Sequence, residues 1–201
     1  MSAPVGQSLP IFPLHTVLFP GGVLPLRVFE ARYVDMTREC LKRDQAFGVA
    51  LIREGSEVGA AALPETIGCT ARITDWDMQQ LGVLNIKAVG ERRFRMLSNR
   101  VESNGLIVAE VELIAAEPDQ PVPEDNRVCV NLLRAILVQV GDKHLPPPHR
   151  FDDAAWVGYR LSELLPVPRL AKQKLLELED SVSRLQILTK YIEQNGLAIK
   201  K

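Results

Sequence analysis

Leu9-Pro10-Ile11-Phe12-Pro13-Leu14, Val17-Leu18-Phe19-Pro20-Gly21-Gly22, Leu24-Pro25-Leu26 and Phe29-Glu30-Ala31-Arg32-Tyr33 are the blocks whose reading decides the fold. Short apolar runs are broken here by proline and glycine. In Pro20-Gly21-Gly22, proline sets φ and glycine is free to take a positive one, which makes a turn. Val23–Val28 then reads as a strand. At Phe29 the period changes: Phe29, Tyr33, Met36 and Cys40 follow i, i+4, i+7, i+11, the apolar stripe of one helix. Arg32, Asp35, Arg38, Glu39 and Lys42 fall on its opposite face.

Working outward, the next seventy residues are strand-like. Phe47–Arg53, Gly68–Asp75, Val83–Val89, Arg92–Leu97 and Leu106–Ile114 are short, alternate with period two, and end at turn residues. No crossover helices separate them, so a small antiparallel β-barrel is expected, with the Phe29–Lys42 helix as its plug. Phe94 supplies an inward aromatic, with Arg93 and Arg95 on the outer face. Three prolines in Glu117–Pro123 stop both helix and strand. Beyond them the period is helical. Cys129, Leu132, Leu133, Ile136, Leu137 and Val140 form one stripe, which Gly141 ends. Asp152 or Asp153 caps a second helix to Leu165, Pro168 opens a third, and Val182, Leu185, Leu188 and Ile192 mark a fourth. The class is α+β, divided as 1–117 (barrel with one helix), 118–123 (Pro-rich linker) and 124–201 (helical bundle).

Composition limits the chemistry. Over 201 residues the chain is 46% apolar and 24% charged with a net charge of −1, ordinary for a folded protein and without a global positive field for nucleic acid or membrane. Cys40, Cys69 and Cys129 lack zinc or redox spacing and read as buried thiols in a reducing compartment. Neither a signal peptide nor a membrane-spanning run is present in the sequence, which points to the cytoplasm. The dipeptide Gly-Lys of a phosphate loop does not occur, nor does a G-x-S-x-G elbow. His144 and His149 flank Pro146-Pro147-Pro148 in a loop that reads as solvated, and His15 reads as a structural histidine. No catalytic, cofactor-binding or metal-binding residues are assigned, no cofactor is expected, and the chain reads as a non-enzyme.

The opening blocks, in order, resemble the Lon protease N-terminal (substrate-binding) domain family. Phe47-Gly48-Val49, Gly68-Cys69-Thr70-Ala71-Arg72-Ile73 and Gly90-Glu91-Arg92-Arg93-Phe94-Arg95 are similar to its strands. Leu164-Leu165-Pro166 and Lys172-Gln173-Lys174-Leu175-Leu176-Glu177 are similar to its helical part. Gln79-Gln80-Leu81-Gly82 stands where the family often has Asp-Gly-Arg. The motif residues Pro13, Phe19, Pro20, Gly21, Phe29, Glu30, Arg32, Tyr33, Gly48, Gly68, Arg93 and Phe94 are expected to act mainly as fold determinants. The resemblance implies a pseudouridine-synthase-and-archaeosine-transglycosylase-like (PUA-like) barrel followed by a helical bundle, in the manner of a free-standing bacterial family member. It also implies a module that binds unfolded or tagged proteins, as an adaptor in proteolysis. The ATPase and protease domains of full Lon have no counterpart in the sequence. A related domain in cereblon serves as a scaffold within a ubiquitin ligase. Three places suggest themselves for a partner: a sheet edge, a groove between barrel and helices, and the loop Pro146, Pro147, Pro148, His149. The rival reading is an RNA-binding PUA-like domain, against which the net charge argues.

Overall fold

The computed structural model describes residues 6–80, 82–142 and 145–198, with the backbone alone of Gln79. Leu81, in the hairpin turn noted above, and His144 lie outside the described residues. The chain divides into two units, Met1–Ala116 and Glu117–Lys201.

The first unit runs β1 (Gln7–Leu14), β2 (Val23–Val28), α1 (Ala31–Arg43), β3 (Phe47–Glu54), β4 (Leu63–Pro64), β5 (Ile67–Gln80), β6 (Val83–Val101) and β7 (Ile107–Leu113). β1 pairs antiparallel with β7 through Gln7–Ile11 and parallel with β3 through Ile11–Leu14. The strand path β1-β7-β6-β5-β3 therefore returns to β1, with β4 beyond β3 and β2 on β6. The expected all-antiparallel sheet is corrected here: the sheet is mixed. Parallel neighbours need a long crossover connection, and β2 with α1 supplies it between β1 and β3.

β6 replaces two expected strands. Its first half pairs with β2 and its second half with β7, so its length lets one strand serve two partners. The change of partner falls at Gly90. The Gly21 N–H donates to Gly90 O at 2.7 Å and the Gly90 N–H to Gly22 O at 2.9 Å. A Cβ on Gly90 would lie 2.3 Å from Phe19 O, so the Phe19–Gly22 turn presses directly on the strand. Gly21 meets the turn's demand with φ of 74°.

Two apolar clusters fill this unit. In one, Tyr33, Met36 and Cys40 of α1 pack with Phe12 and Phe47, and the Phe12 and Tyr33 rings stack at 4.1 Å. In the other, Phe94 is fully buried among Leu9, Ile11 and Ala50. Glycines make room for it. A Cβ on Gly68 would lie 2.6 Å from Phe94 Cζ, and one on Gly48 would lie 3.0 Å from it. Burial pushes the Cys40 thiol up to about 11, with Glu39 adding to the shift.

Three side chains depart from the expected pattern. Phe29 precedes α1 and is 54% exposed, so it is not part of the buried stripe. Arg32, expected on the solvent face, is buried. Arg93, expected outside, is buried beside Phe94, because the β5–β6 ladder slips by one residue between Gly90 and Arg93.

The second unit contains a 3-10 turn (Glu124–Asn126), α2 (Arg127–Val140), α3 (Ala154–Leu164), α4 (Arg169–Glu177) and α5 (Ser181–Gln194). Asp153 caps α3 by accepting from the N–H groups of Ala155 and Trp156. Asp180 caps α5 by accepting from the Ser183 N–H at 2.7 Å. Bonds to Ser183 hold the Asp180 carboxyl below the usual carboxylate range.

The Pro-rich linker segment, 118–123, is bonded into the second unit. The Val122 N–H donates to Asp152 O, and the Ala154 N–H to Gln120 O. Glu117 grips Arg184 through two bonds, of 2.8 and 2.6 Å, and accepts the Tyr159 hydroxyl. Arg184 also donates to the carbonyls of Leu175 and Leu178 and lies 4.3 Å over the Tyr159 ring. Proline stopped regular structure in this segment without freeing it, because the polar side chains beside the prolines found buried partners.

Candidate functional site

Among the described residues β2 pairs only with β6, which leaves its other edge free. Next to that edge lies a cleft of about 170 Å³. Leu26 and Val28 wall it, Phe12 and Tyr33 form its inner side, and Phe29 and Val58 stand at its mouth. Phe29 and Val58 are 54% and 56% exposed. Burial pushes the Tyr33 hydroxyl up, against the pull of Arg32. An apolar recess with exposed apolar rims suits an apolar side chain of a partner. The sheet-edge reading fares less well. Pro25 sits in the middle of β2 and Pro64 in β4, and proline has no N–H to offer an added strand.

Glu30 organises the ground beside this cleft. Its carboxylate accepts from Arg32 Nη2 at 3.1 Å and from the Gly59 N–H at 3.3 Å. Arg32 donates from Nη1 to Gly105 O at 3.0 Å, and its guanidinium lies 4.6 Å from the centre of the Tyr33 ring. A second cleft, of about 330 Å³, opens on the other side of Glu30 between Ala60, Ala61, Val101 and Gly105. Motif residues thus divide in two. Pro13 (in β1), Phe19, Pro20, Gly21, Gly48, Gly68, Arg93 and Phe94 belong to strands, turn and core. Phe29, Glu30, Arg32 and Tyr33 gather around the two clefts.

In the second unit, an apolar groove of about 330 Å³ lies between α4 and α5, lined by Ala171, Leu175, Ile187, Leu188 and Tyr191. Ile187 is 48% exposed. Lys174, paired with Glu177 at 2.6 Å, is its charged rim. The candidate loop is exposed at Pro146, Pro147 and Pro148. His149 anchors its end: Nε2 lies 2.9 Å from Leu145 O, and the ring packs against Phe151 and Trp156.

All three cysteines are buried thiols, none in a disulfide. Arg72, in the strand facing the Arg92–Arg95 run, is already engaged by Glu91 and Asp44. Among the described residues no group of three His, Cys, Asp or Glu side chains could hold a metal ion, and no helix is long and apolar enough to cross a membrane. The sequence reading missed the part of Glu57, Val58 and Gly59. The signal was Gly-Ser-Glu-Val-Gly, a glycine-bounded loop holding one exposed valine.

The model of the ATP-dependent protease La (LON) substrate-binding domain family matches residues 8–194. Among solved structures, a Lon N-terminal domain protein from Xanthomonas campestris superposes with a TM-score of 0.78 at 38% identity, over 92% of this chain and 98% of that one. The N-terminal domain of the Mycobacterium avium complex Lon protease superposes with a TM-score of 0.67, over 93% of this chain and 98% of that one; at 17% identity it shares the fold alone. Lon protease 2 of Myxococcus xanthus is 27% identical over 208 residues, 98% of this chain and 24% of that protein. Protein cereblon of Xenopus tropicalis is 30% identical over 121 residues, 58% of this chain and 25% of that protein. The chain therefore spans about a quarter of the length of the curated relatives it matches.

Proposed function

We propose a function from one premise: this chain belongs to the ATP-dependent protease La (LON) substrate-binding domain family. It is a non-catalytic module that binds unfolded or tagged polypeptide, and it works as an adaptor for a protease. We read its strand circuit as a PUA-like barrel and α2–α5 as a helical bundle. Its place is the cytoplasm, in keeping with three buried cysteines that form no disulfide.

The family match over residues 8–194 carries this reading, and the exposed apolar recesses support it. Burying one Leu or Phe side chain of a client contributes about 1.5–3 kcal/mol. That is small beside the entropy of ordering an extended chain, so binding is weak and tolerant of sequence.

The test is fluorescence anisotropy with three labelled probes: a reduced, carboxymethylated model protein, its native form, and a 20-nucleotide single-stranded RNA. Binding of the unfolded form alone, weakened by Phe29→Ser or Ile187→Ser, is the expected result. RNA binding that falls steeply with salt, together with no binding of the unfolded protein, would replace this function with the RNA-binding one.

A further inference from the structure

We propose that residues 55–62, the loop between β3 and β4, are a flap over the Phe29 cleft. It is pinned shut by two carboxylates and opens to admit an extended apolar segment of a client. The proposal rests on the protein-binding reading above and names how that site is controlled.

The neck of the loop is tight. Glu54 pairs with Leu63, and a Cβ on Gly55 would lie 3.1 Å from Ala62 Cα, so the two ends touch. A loop closed at its base moves as one body. Gly55 and Gly59 have φ of 104° and 93°, where glycine turns freely and other residues are strained.

The tip carries little packing. Val58 is more than half exposed, and a Cβ on Gly59 would meet nothing within 4 Å. Hydrogen bonds to the body hold it instead. The His15 N–H donates to Glu57 Oε1 at 2.6 Å, and the Gly59 N–H donates to Glu30 Oε2 at 3.3 Å. One carboxylate belongs to the flap and the other to the body, so the clasp works in both directions. Both bonds are exposed to solvent, where water competes for each partner.

The flap also stands where a gate belongs. Glu57 and Val58 bound the Phe29 cleft on one side, and Gly59, Ala60 and Ala61 bound the second cleft on the other. Glu30 lines both. Lifting the tip removes the wall between them and leaves one continuous groove beside the free edge of β2.

Amide hydrogen exchange and binding kinetics test this together. In Glu57→Ala, exchange at His15 rises because its acceptor is gone. Exchange at Gly59, whose own acceptor is untouched, rises about tenfold, the equivalent of one charge-assisted hydrogen bond at the low end of its range. A rise at His15 with Gly59 unchanged overturns the flap, since the two bonds then act independently. In stopped-flow mixing with a labelled, extended apolar peptide, Glu57→Ala associates faster than the wild type. A variant with residues 56–61 replaced by Asn-Gly associates at least as fast. Slower association in the shortened variant overturns the gate and makes the loop a contact surface. Coupled exchange with no peptide binding in any variant leaves a moving flap and overturns the client-binding reading instead.

Discussion

Replacing Glu117 by alanine should remove about half of the second unit's stability and leave it folded. Arg184 and Glu117 have 0% and 2% of their side chains exposed, and their contact is bidentate. Removing the carboxylate leaves a guanidinium enclosed without a counter-charge, and the Tyr159 hydroxyl without its acceptor. Breaking a buried pair from one side costs about 3–5 kcal/mol. At about 0.1 kcal/mol per residue, a unit of this size stands at roughly 8 kcal/mol in total, so about half its stability is lost. With a urea m-value of about 1 kcal/mol/M, the midpoint falls by about 3 M or more. Trp156 fluorescence reports the unit directly once Trp76, in the other unit, is changed to phenylalanine. Arg184→Met should cost a similar amount. The double variant Glu117→Leu, Arg184→Met should be no worse than either single one, because no buried charge remains. It still lacks donors for the carbonyls of Leu175 and Leu178, so it stays below the wild type. A loss under about 1 kcal/mol in Glu117→Ala, or additive losses in the double variant, would refute the reasoning.

Gly68→Ala places a Cβ 2.3 Å from Val49 O, a backbone atom that cannot swing away, and 2.6 Å from Phe94. It should cost about 3 kcal/mol by calorimetry, against about 1 kcal/mol for Gly59→Ala, which meets open space and only a strained φ. Phe29→Ser should leave the melting curve within about 0.5 kcal/mol of the wild type, as for an exposed side chain, while weakening the unfolded probe several-fold in anisotropy. Asp180 and Cys40 each make the stability depend on pH. The Asp180 carboxyl is depressed in the folded state, so its contribution is present above the ordinary carboxylate value and is lost as pH falls through the folded one; Asp180→Asn should flatten that acid limb. The Cys40 thiol is raised, so its contribution is full below its ordinary value near 9.0 and disappears as pH rises toward about 11; Cys40→Ala should flatten the alkaline limb of a urea-midpoint profile.

Much of the fold was legible because period and punctuation are local. Val23–Val28 is β2, Asp153 caps α3, Gly141 follows α2, and Pro168 precedes α4, each through chemistry acting within a few residues. Misreadings came where distant chain intervened. The alternation divides this stretch into Val83–Val89 and Arg92–Leu97, yet β6 runs unbroken through Gly90, because the gap left by its missing side chain is filled by the Phe19 carbonyl. Phe29 matched the helical stripe by spacing, but the helix begins two residues later and the ring faces outward. The candidate site was less legible still. Nothing in Gly-Ser-Glu-Val-Gly announces that Glu57 will meet the amide of His15, or that Gly59 will meet Glu30.

By itself, the sequence determined the family, the α+β class, the change from strands to helices near Glu117, and most element boundaries. Those properties depend on backbone preferences and on the period of apolar side chains, which neighbours along the chain express alone. Only the tertiary structure decided the parallel pairing of β1 with β3, the burial of Arg32, Arg93 and Arg184, and the exposed clefts around Phe29 and along α4 and α5. The reason is physical. A charged side chain is buried when a partner waits for it, and a cleft exists when packing stops short; both are set by residues far away in sequence.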